Sequence, residues 1–117
     1  MNNMFLREKM LLGEAAMRRL SAAHVIVFGL GGVGSWAAEA LVRSGVGEIT
    51  LVDHDTIGET NLNRQLGALH STLGMPKAEA LAARLADINP ACRIHARNER
   101  YTADTREDFF AVSYSYI

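Results

Sequence analysis

The apolar residues of this chain change period several times, and each change marks an element. From Phe5 to Leu20, the residues Leu6, Met10, Leu11, Met17 and Leu20 recur at helical spacing on either side of Gly13. This predicts one or two short helices, an N-terminal arm over residues 1–22. His24-Val-Ile-Val-Phe-Gly29 is apolar almost throughout, which suits a strand covered on both faces in a parallel sheet. After Gly29-Leu-Gly31-Gly-Val-Gly34 the spacing becomes helical, with Val33, Trp36, Ala37, Ala40, Leu41 and Ser44 on one side and Gly45 as the C-cap. Glu48-Ile-Thr-Leu-Val52 is a second strand, with Asp53 at its carboxyl end. Residues 54–73 lose periodicity and gather polar groups around Glu59-Thr-Asn-Leu-Asn-Arg-Gln65, a loop longer than a connection requires. A second helix starts at Pro76, turns Ala78, Leu81, Ala82, Leu85 and Ile88 to one face, and stops at Asn89-Pro90. Cys92–Arg97 alternates as a third strand, Thr102 caps a short helix reaching about Ala111, and Val112–Ile117 begins a fourth strand. The order βαβαβαβ with right-handed crossovers predicts an α/β, Rossmann-like doubly wound parallel sheet in strand order 3-2-1-4, the N-terminal half of such a fold.

Composition narrows the setting. A chain of 117 residues, 49% of them apolar, makes one domain at most. The formal net charge is −1 and no basic block stands out, so charge alone announces neither a nucleic-acid nor a lipid surface. The single cysteine, Cys92, excludes an internal disulfide and a cysteine-based zinc knuckle within these residues, and it reads as a small core residue. His24, His54, His70 and His95 show no metal-ligand spacing. Apolar runs too short for a bilayer, and charges at Arg7, Glu8 and Lys9 where a signal peptide would be apolar, predict a cytoplasmic chain without a membrane partner.

The candidate chemistry sits where the period breaks. Gly29-x-Gly31-x-x-Gly34 between a strand and a helix is a nucleotide-phosphate cradle: glycines for the tight turn, for backbone approach to phosphate and for helix packing on the sheet, with a helix N-terminus facing the anion. Asp53, about twenty residues on, stands where a ribose-binding carboxylate belongs. These features alone fit a dinucleotide such as NAD as well as ATP. Asn61, Arg64, Gln65 and Lys77 fall on the carboxyl edge of the sheet, where open α/β folds bind ligands, and a guanidinium with an ammonium suits a triphosphate. No Lys-Ser/Thr pair follows the glycines, so this is not a Walker loop.

Gly29-x-Gly31-Gly32-x-Gly34-Ser35, Asp53-x-Asp55, Asn61-x-Asn63-Arg64-Gln65 and Pro76-Lys77 together resemble the ATP-binding half of the ubiquitin-activating-type (ThiF/MoeB-like) adenylating enzymes. Gly32 to Leu41, Leu12-Gly13-Glu14 and Ile88 to Cys92 look closest to the branch of tRNA threonylcarbamoyladenosine dehydratases. The resemblance implies that residues 1–117 form a truncated ATP-binding adenylation domain, acting with ATP and Mg2+ on a threonyl carboxylate of modified tRNA, which is then cyclised with loss of water. It implies nucleotide contacts from Gly29, Gly31, Gly32, Gly34, Ser35, Asp53, Asp55, Asn61, Arg64, Gln65 and Lys77. Asp53 would hold the ribose, Arg64 and Lys77 the polyphosphate, and Asn61 phosphate or metal. Arg7 would reach the nucleotide of a neighbouring subunit in a homodimer, and the magnesium-binding aspartate would lie beyond Ile117, so the 117 residues by themselves are expected not to turn over. Activators of a ubiquitin-like sulfur-carrier protein share every one of these motifs. An NAD-dependent oxidoreductase and a non-catalytic nucleotide-binding module are the remaining alternatives.

Overall fold

The computed structural model describes residues 3–117. A short 3-10 turn, Asn3–Phe5, leads into α1 (Leu6–Leu12) and α2 (Glu14–Ala22). Then come β1 (His24–Phe28), α3 (Gly34–Ser44), β2 (Glu48–Val52), α4 (Lys77–Ile88), β3 (Arg93–Arg97) and α5 (Arg106–Phe109). The three strands stand side by side in the order β1-β2-β3, all parallel, with His24, Glu48 and Arg93 at one level and Phe28, Val52 and Arg97 at the other. Alternation along each strand sorts residues between two layers. Ile49, Leu51, Val27 and Ile94 meet Ala38 and Val42 of α3 and Ala78, Leu81 and Leu85 of α4, while Ile26 and Val52 meet Phe109 of α5 on the opposite face. Helices on both faces of a parallel sheet make this the Rossmann-like α/β architecture. Cys92 is buried in the first layer, and Gly45 ends α3 in the left-handed conformation, φ 106°, as its C-cap position requires.

The inner face of α3 differs from the one that its large side chains suggest. A Cβ on Gly34 would lie 1.8 Å from the Gly29 carbonyl oxygen, so Gly34 must face the strand exit. Positions four and eight residues on face the same way. Ala38 and Val42 are accordingly buried, together with Ser35 and Glu39, whereas Val33, Trp36, Ala37 and Ala40 are exposed. Backbone contact sets the rotation of this helix, and Val33 and Trp36 are carried outward by it.

Glu39 would be a poor core residue if alone. It accepts hydrogen bonds from Nε of Arg84 (2.6 Å) and Nε of Arg43 (3.1 Å), which ties α3 to α4. Paired this way, the carboxylate needs no solvent. The Arg84 hydrogen bond, helped by Arg43 and opposed by burial, holds the Glu39 carboxyl below its ordinary pKa.

The N-terminal arm joins the layer through Gly47, whose N–H donates to the Leu20 carbonyl and where a Cβ would fall 1.8 Å from the Ser21 carbonyl oxygen. Met17 is buried, and its methyl group lies beside Gly45, as does the Phe5 ring. Leu6, Met10 and Leu11, expected on the same stripe, remain exposed.

The long loop is ordered by its own small core, in which Ile57 and Ala68 pack on Ala80 of α4 with Leu62 and Met75 beside them. Two 3-10 turns, Glu59–Asn61 and His70–Thr72, shape it. At the C-terminal side the sequence reads as more regular than it is. The helix expected from Thr102 to about Ala111 covers only Arg106–Phe109; Thr102 closes the turn before it, its hydroxyl accepting from the Thr105 N–H and its carbonyl from the Arg106 N–H. Residues 112–117 form no strand: a single parallel bridge joins Tyr116 to Val25 on the edge of β1 away from β2. No described helix is long and apolar enough to cross a membrane.

Two outcomes follow from this packing. Gly47→Ala should destabilise the fold by about 1–3 kcal/mol or more, since backbone rather than a movable side chain meets the new methyl group; an unchanged midpoint in urea unfolding would contradict the docking of α2. For Glu39 the native pKa is depressed relative to 4.5, so the stability it contributes is complete above that value and is lost as pH falls through the native pKa. The stability gap between wild type and Glu39→Gln should therefore be wide at neutral pH and narrow in acid, below about pH 4.5, as urea midpoints measured against pH would show.

Candidate nucleotide-binding site

The glycine loop is held from both sides. Gly29, at φ 85°, turns the chain sharply out of β1, and its N–H donates to the Val52 carbonyl. The Leu30 N–H donates to Asp53 Oδ2 at 2.8 Å, so the carboxylate at the end of β2 grips the start of the loop. Asp53 Oδ1 accepts from the Asp55 N–H at 2.8 Å. Each carboxylate oxygen has a second lone pair, which leaves Asp53 able to accept two further hydrogen bonds. The first turn of α3 follows directly on Gly31-Gly32, with its Ser35 and Ala37 N–H groups donating to the Gly31 and Val33 carbonyls.

Ser35 is 1% exposed: its hydroxyl donates to the Gly31 carbonyl at 2.7 Å and accepts from the Leu66 N–H. It braces the loop against residues 64–66. Gln65 is buried near Gly31, with Nε2 3.9 Å from where a Cβ there would stand. Arg64 crosses the loop, its aliphatic stem 3.3 Å from a Cβ built on Gly32, and its Nη1 donates to the Thr60 carbonyl and the Asn63 side chain. Trp36 fixes that position from α3 by donating its indole N–H to the Arg64 carbonyl at 2.9 Å. Asn61 accepts from the Gly58 N–H, so its side-chain oxygen shapes the turn.

Lys77 opens α4, and its N–H donates to the Asp55 carbonyl. Its side chain is only 12% exposed, yet its acidic neighbour, Asp55 Oδ2, is 3.9 Å away. Sheltered ammonium groups normally have close acidic partners, and a loosely paired one beside a glycine loop is a ready site for an anion. The structure thus brings Gly29, Gly31, Gly32, Gly34, Asp53, Asp55, Arg64, Gln65 and Lys77 to the carboxyl edge of the sheet.

Arg7 does not join them within one chain. Phe5, two residues before it, packs at Gly45, the far end of α3 from the glycines, and an 11-residue helix is about 16 Å long. Two residues not singled out from the sequence belong to the same edge: Arg100 and Tyr101 line a cleft with Phe28, Gly29, Asp53 and Asp55. The Tyr101 ring meets Phe28 edge-on at 5.0 Å. Their position just past the end of β3 was the available signal, since carboxyl ends of parallel strands line the ligand crevice.

Comparison with known proteins agrees with this geometry. The chain is 49% identical over all its 117 residues to tRNA threonylcarbamoyladenosine dehydratase of Bacillus subtilis (strain 168), and spans 46% of that relative's length. The crystal structure of E. coli tRNA N6-threonylcarbamoyladenosine dehydratase matches with a TM-score of 0.93 at 46% identity, over 97% of this chain and 47% of that one. The same enzyme in complex with ATP matches with a TM-score of 0.92 at 46% identity, over 96% of this chain and 46% of that one. Residues 5–117 fit the sequence model of the ThiF family, and with such coverage the chain belongs to that family.

Proposed function

We propose that this chain is the ATP-binding half of an enzyme that adenylates the threonyl carboxylate of threonylcarbamoyladenosine in tRNA and so prepares its cyclisation. The observation that carries this reading is Lys77, a sheltered cation with a loose partner, set with Arg64 beside an Asp53-gripped glycine loop. A dinucleotide would need the loop and Asp53 alone; two cations at the same edge favour a triphosphate. The likeness to ATP-bound E. coli tRNA N6-threonylcarbamoyladenosine dehydratase supports it.

Each residue then has a definite task. Asp53 accepts hydrogen bonds from the ribose diol while holding the loop through Leu30. The amides after Gly31 and Gly32 and the start of α3 face the phosphates. Arg64 and Lys77 neutralise the charge that grows as pyrophosphate departs, and groups in such roles are commonly worth a few kcal/mol. Ser35, Gln65 and Asn61 keep the loop and the 59–65 segment in place. Bound ATP supplies the α-phosphorus that the substrate carboxylate attacks, giving a mixed anhydride. Mg2+ would accompany the phosphates and neutralise part of their charge, while Asp53 stays on the ribose and the Leu30 N–H. A tRNA substrate is in keeping with a cytoplasmic chain.

We also place a second copy of the chain against the arm. Leu6, Met10 and Leu11 offer an exposed apolar face, and two-fold pairing over it would cover that face and carry Arg7 toward the partner's site. Sedimentation at micromolar concentration should show a dimer, and Met10→Glu should shift it toward monomer; a monomer at all concentrations would remove Arg7 from the site.

The decisive measurement is ATP–pyrophosphate exchange in the presence of threonylcarbamoyl-modified tRNA, run on the 117 residues, which alone should be inactive, and on a version extended through the remaining half of the fold. Exchange should depend on that tRNA. Arg64→Ala and Lys77→Ala should each weaken ATP binding by about 10- to 100-fold with much less effect on AMP, and Asp53→Ala should weaken both. Exchange stimulated by the C-terminal tail of a ubiquitin-like sulfur carrier instead of tRNA would transfer the substrate assignment to the carrier-activating members of the family. Tighter binding of NAD than of ATP would overturn adenylation altogether.

A further inference from the structure

The opposite edge of the sheet holds a second convergence of polar groups. His24, Glu48 and Arg93 open the three strands at one level, and His95 follows two residues on, pointing to the same face as Arg93. Parallel pairing thereby brings together two histidines and a glutamate that are far apart in sequence, although their spacing along the chain shows no ligand motif. Glu48 Oε2 lies 2.6 Å from His95 Nε2, and Glu48 Oε1 lies 3.7 Å from His24 Nδ1. One ligand atom from each of His24, Glu48 and His95 falls within 4.8 Å of the others.

We propose that His24, Glu48 and His95 form a binding site for a divalent cation of the zinc class, with His24 Nδ1, a Glu48 oxygen and His95 Nε2 as protein ligands and water in the fourth position. Ligand atoms about 2.0–2.1 Å from a tetrahedral zinc stand about 3.3 Å apart. Glu48 presents one oxygen to each imidazole, Oε2 at 2.6 Å to His95 and Oε1 at 3.7 Å to His24, so rotations that set one of its oxygens between the two rings complete the set. Two imidazoles and one carboxylate select a borderline cation over magnesium or calcium, which take oxygen donors. The three ligands come from three different strands, so the sheet itself fixes their geometry.

The surroundings of His24 match what a metal-binding histidine has. Its Nε2 lies 2.7 Å from Oγ1 of the buried Thr50, and the tautomer that donates there leaves the Nδ1 lone pair facing Glu48. The Tyr114 ring packs edge-on at 4.6 Å and holds the imidazole from the other side. Arg93 is the competitor, since its Nη2 bonds Glu48 Oε1 at 3.0 Å, but its side chain is largely exposed and can swing away. The site stands a full strand length from Asp53, roughly 15 Å for five residues, and takes no part in nucleotide binding. Bound metal would clip the entry ends of β1, β2 and β3 together and stabilise the native state.

The test is titration of metal-free protein with Zn2+ by calorimetry, with thermal unfolding followed in parallel. One ion per chain with a raised Tm is expected. His95→Ala and Glu48→Gln, both substitutions outside the core, should weaken binding by at least about tenfold while circular dichroism stays unchanged. Arg93→Ala should tighten it by freeing Glu48. Absence of binding would overturn the proposal. So would binding undiminished in His95→Ala, which would direct attention to Asp53, His54 and Asp55 at the other edge, or an equal response to Mg2+, which would deny the two imidazoles a role.

Discussion

One close approach governs the half of the molecule that carries the chemistry. The helix that follows the glycine loop starts so near the strand exit that a methyl group at Gly34 would sit on the Gly29 carbonyl. That contact fixes the rotation of α3, turns Ala38 and Val42 inward, and leaves the helix start and the loop amides at the carboxyl edge. Asp53 then closes the arrangement by bonding the Leu30 N–H from the neighbouring strand. Loop, helix and second strand are a single unit, and each keeps the other two in register.

Two groups of charge along α4 show how differently the fold treats them. Glu39 is buried with two arginines upon it, and its role is complete within the protein: it joins two helices. Lys77, at the start of the same helix that carries Arg84, is also sheltered but has only a distant carboxylate. A satisfied ion pair holds structure, whereas an incompletely satisfied cation at a helix N-terminus invites a ligand.

The elements legible in the sequence were those whose signal is local. β1 and β2 are β-branched and apolar on both faces, α4 has a proline start and an unbroken stripe, and Gly45 stops α3 in the only conformation that suits it. Hydrophobic spacing points to the wrong inner face of α3 because Val33 and Trp36 outweigh alanine in any hydrophobic count, while the deciding fact, backbone touching backbone at Gly34, has no hydrophobicity. α5 is shorter than its pattern, since residues 103–105 form a turn before it and the helix ends at Phe109. Residues 112–117 alternate like a strand yet share only one bridge with β1, since pairing depends on a neighbour and not on alternation. Of the candidate site, Gly29, Gly31, Gly34 and Asp53 show through spacing, Arg64, Gln65 and Lys77 as polar groups past the strand ends, and Gly32 through the family resemblance. Ser35 and Asn61 were visible too, but not that both bond the loop's own backbone. Arg100, Tyr101 and the meeting of His24 with His95 depend on which strand ends lie together, which only the sheet order discloses.

Trp36 is the single tryptophan of the chain, half-exposed, with its indole N–H on the Arg64 carbonyl. Indole emission responds to loss of a hydrogen bond and to a change in water contact, and here both depend on how residues 59–65 lie over the glycine loop. The protein therefore carries its own optical reporter: the intrinsic fluorescence of one side chain follows the position of the segment that bears Arg64, without any label being attached.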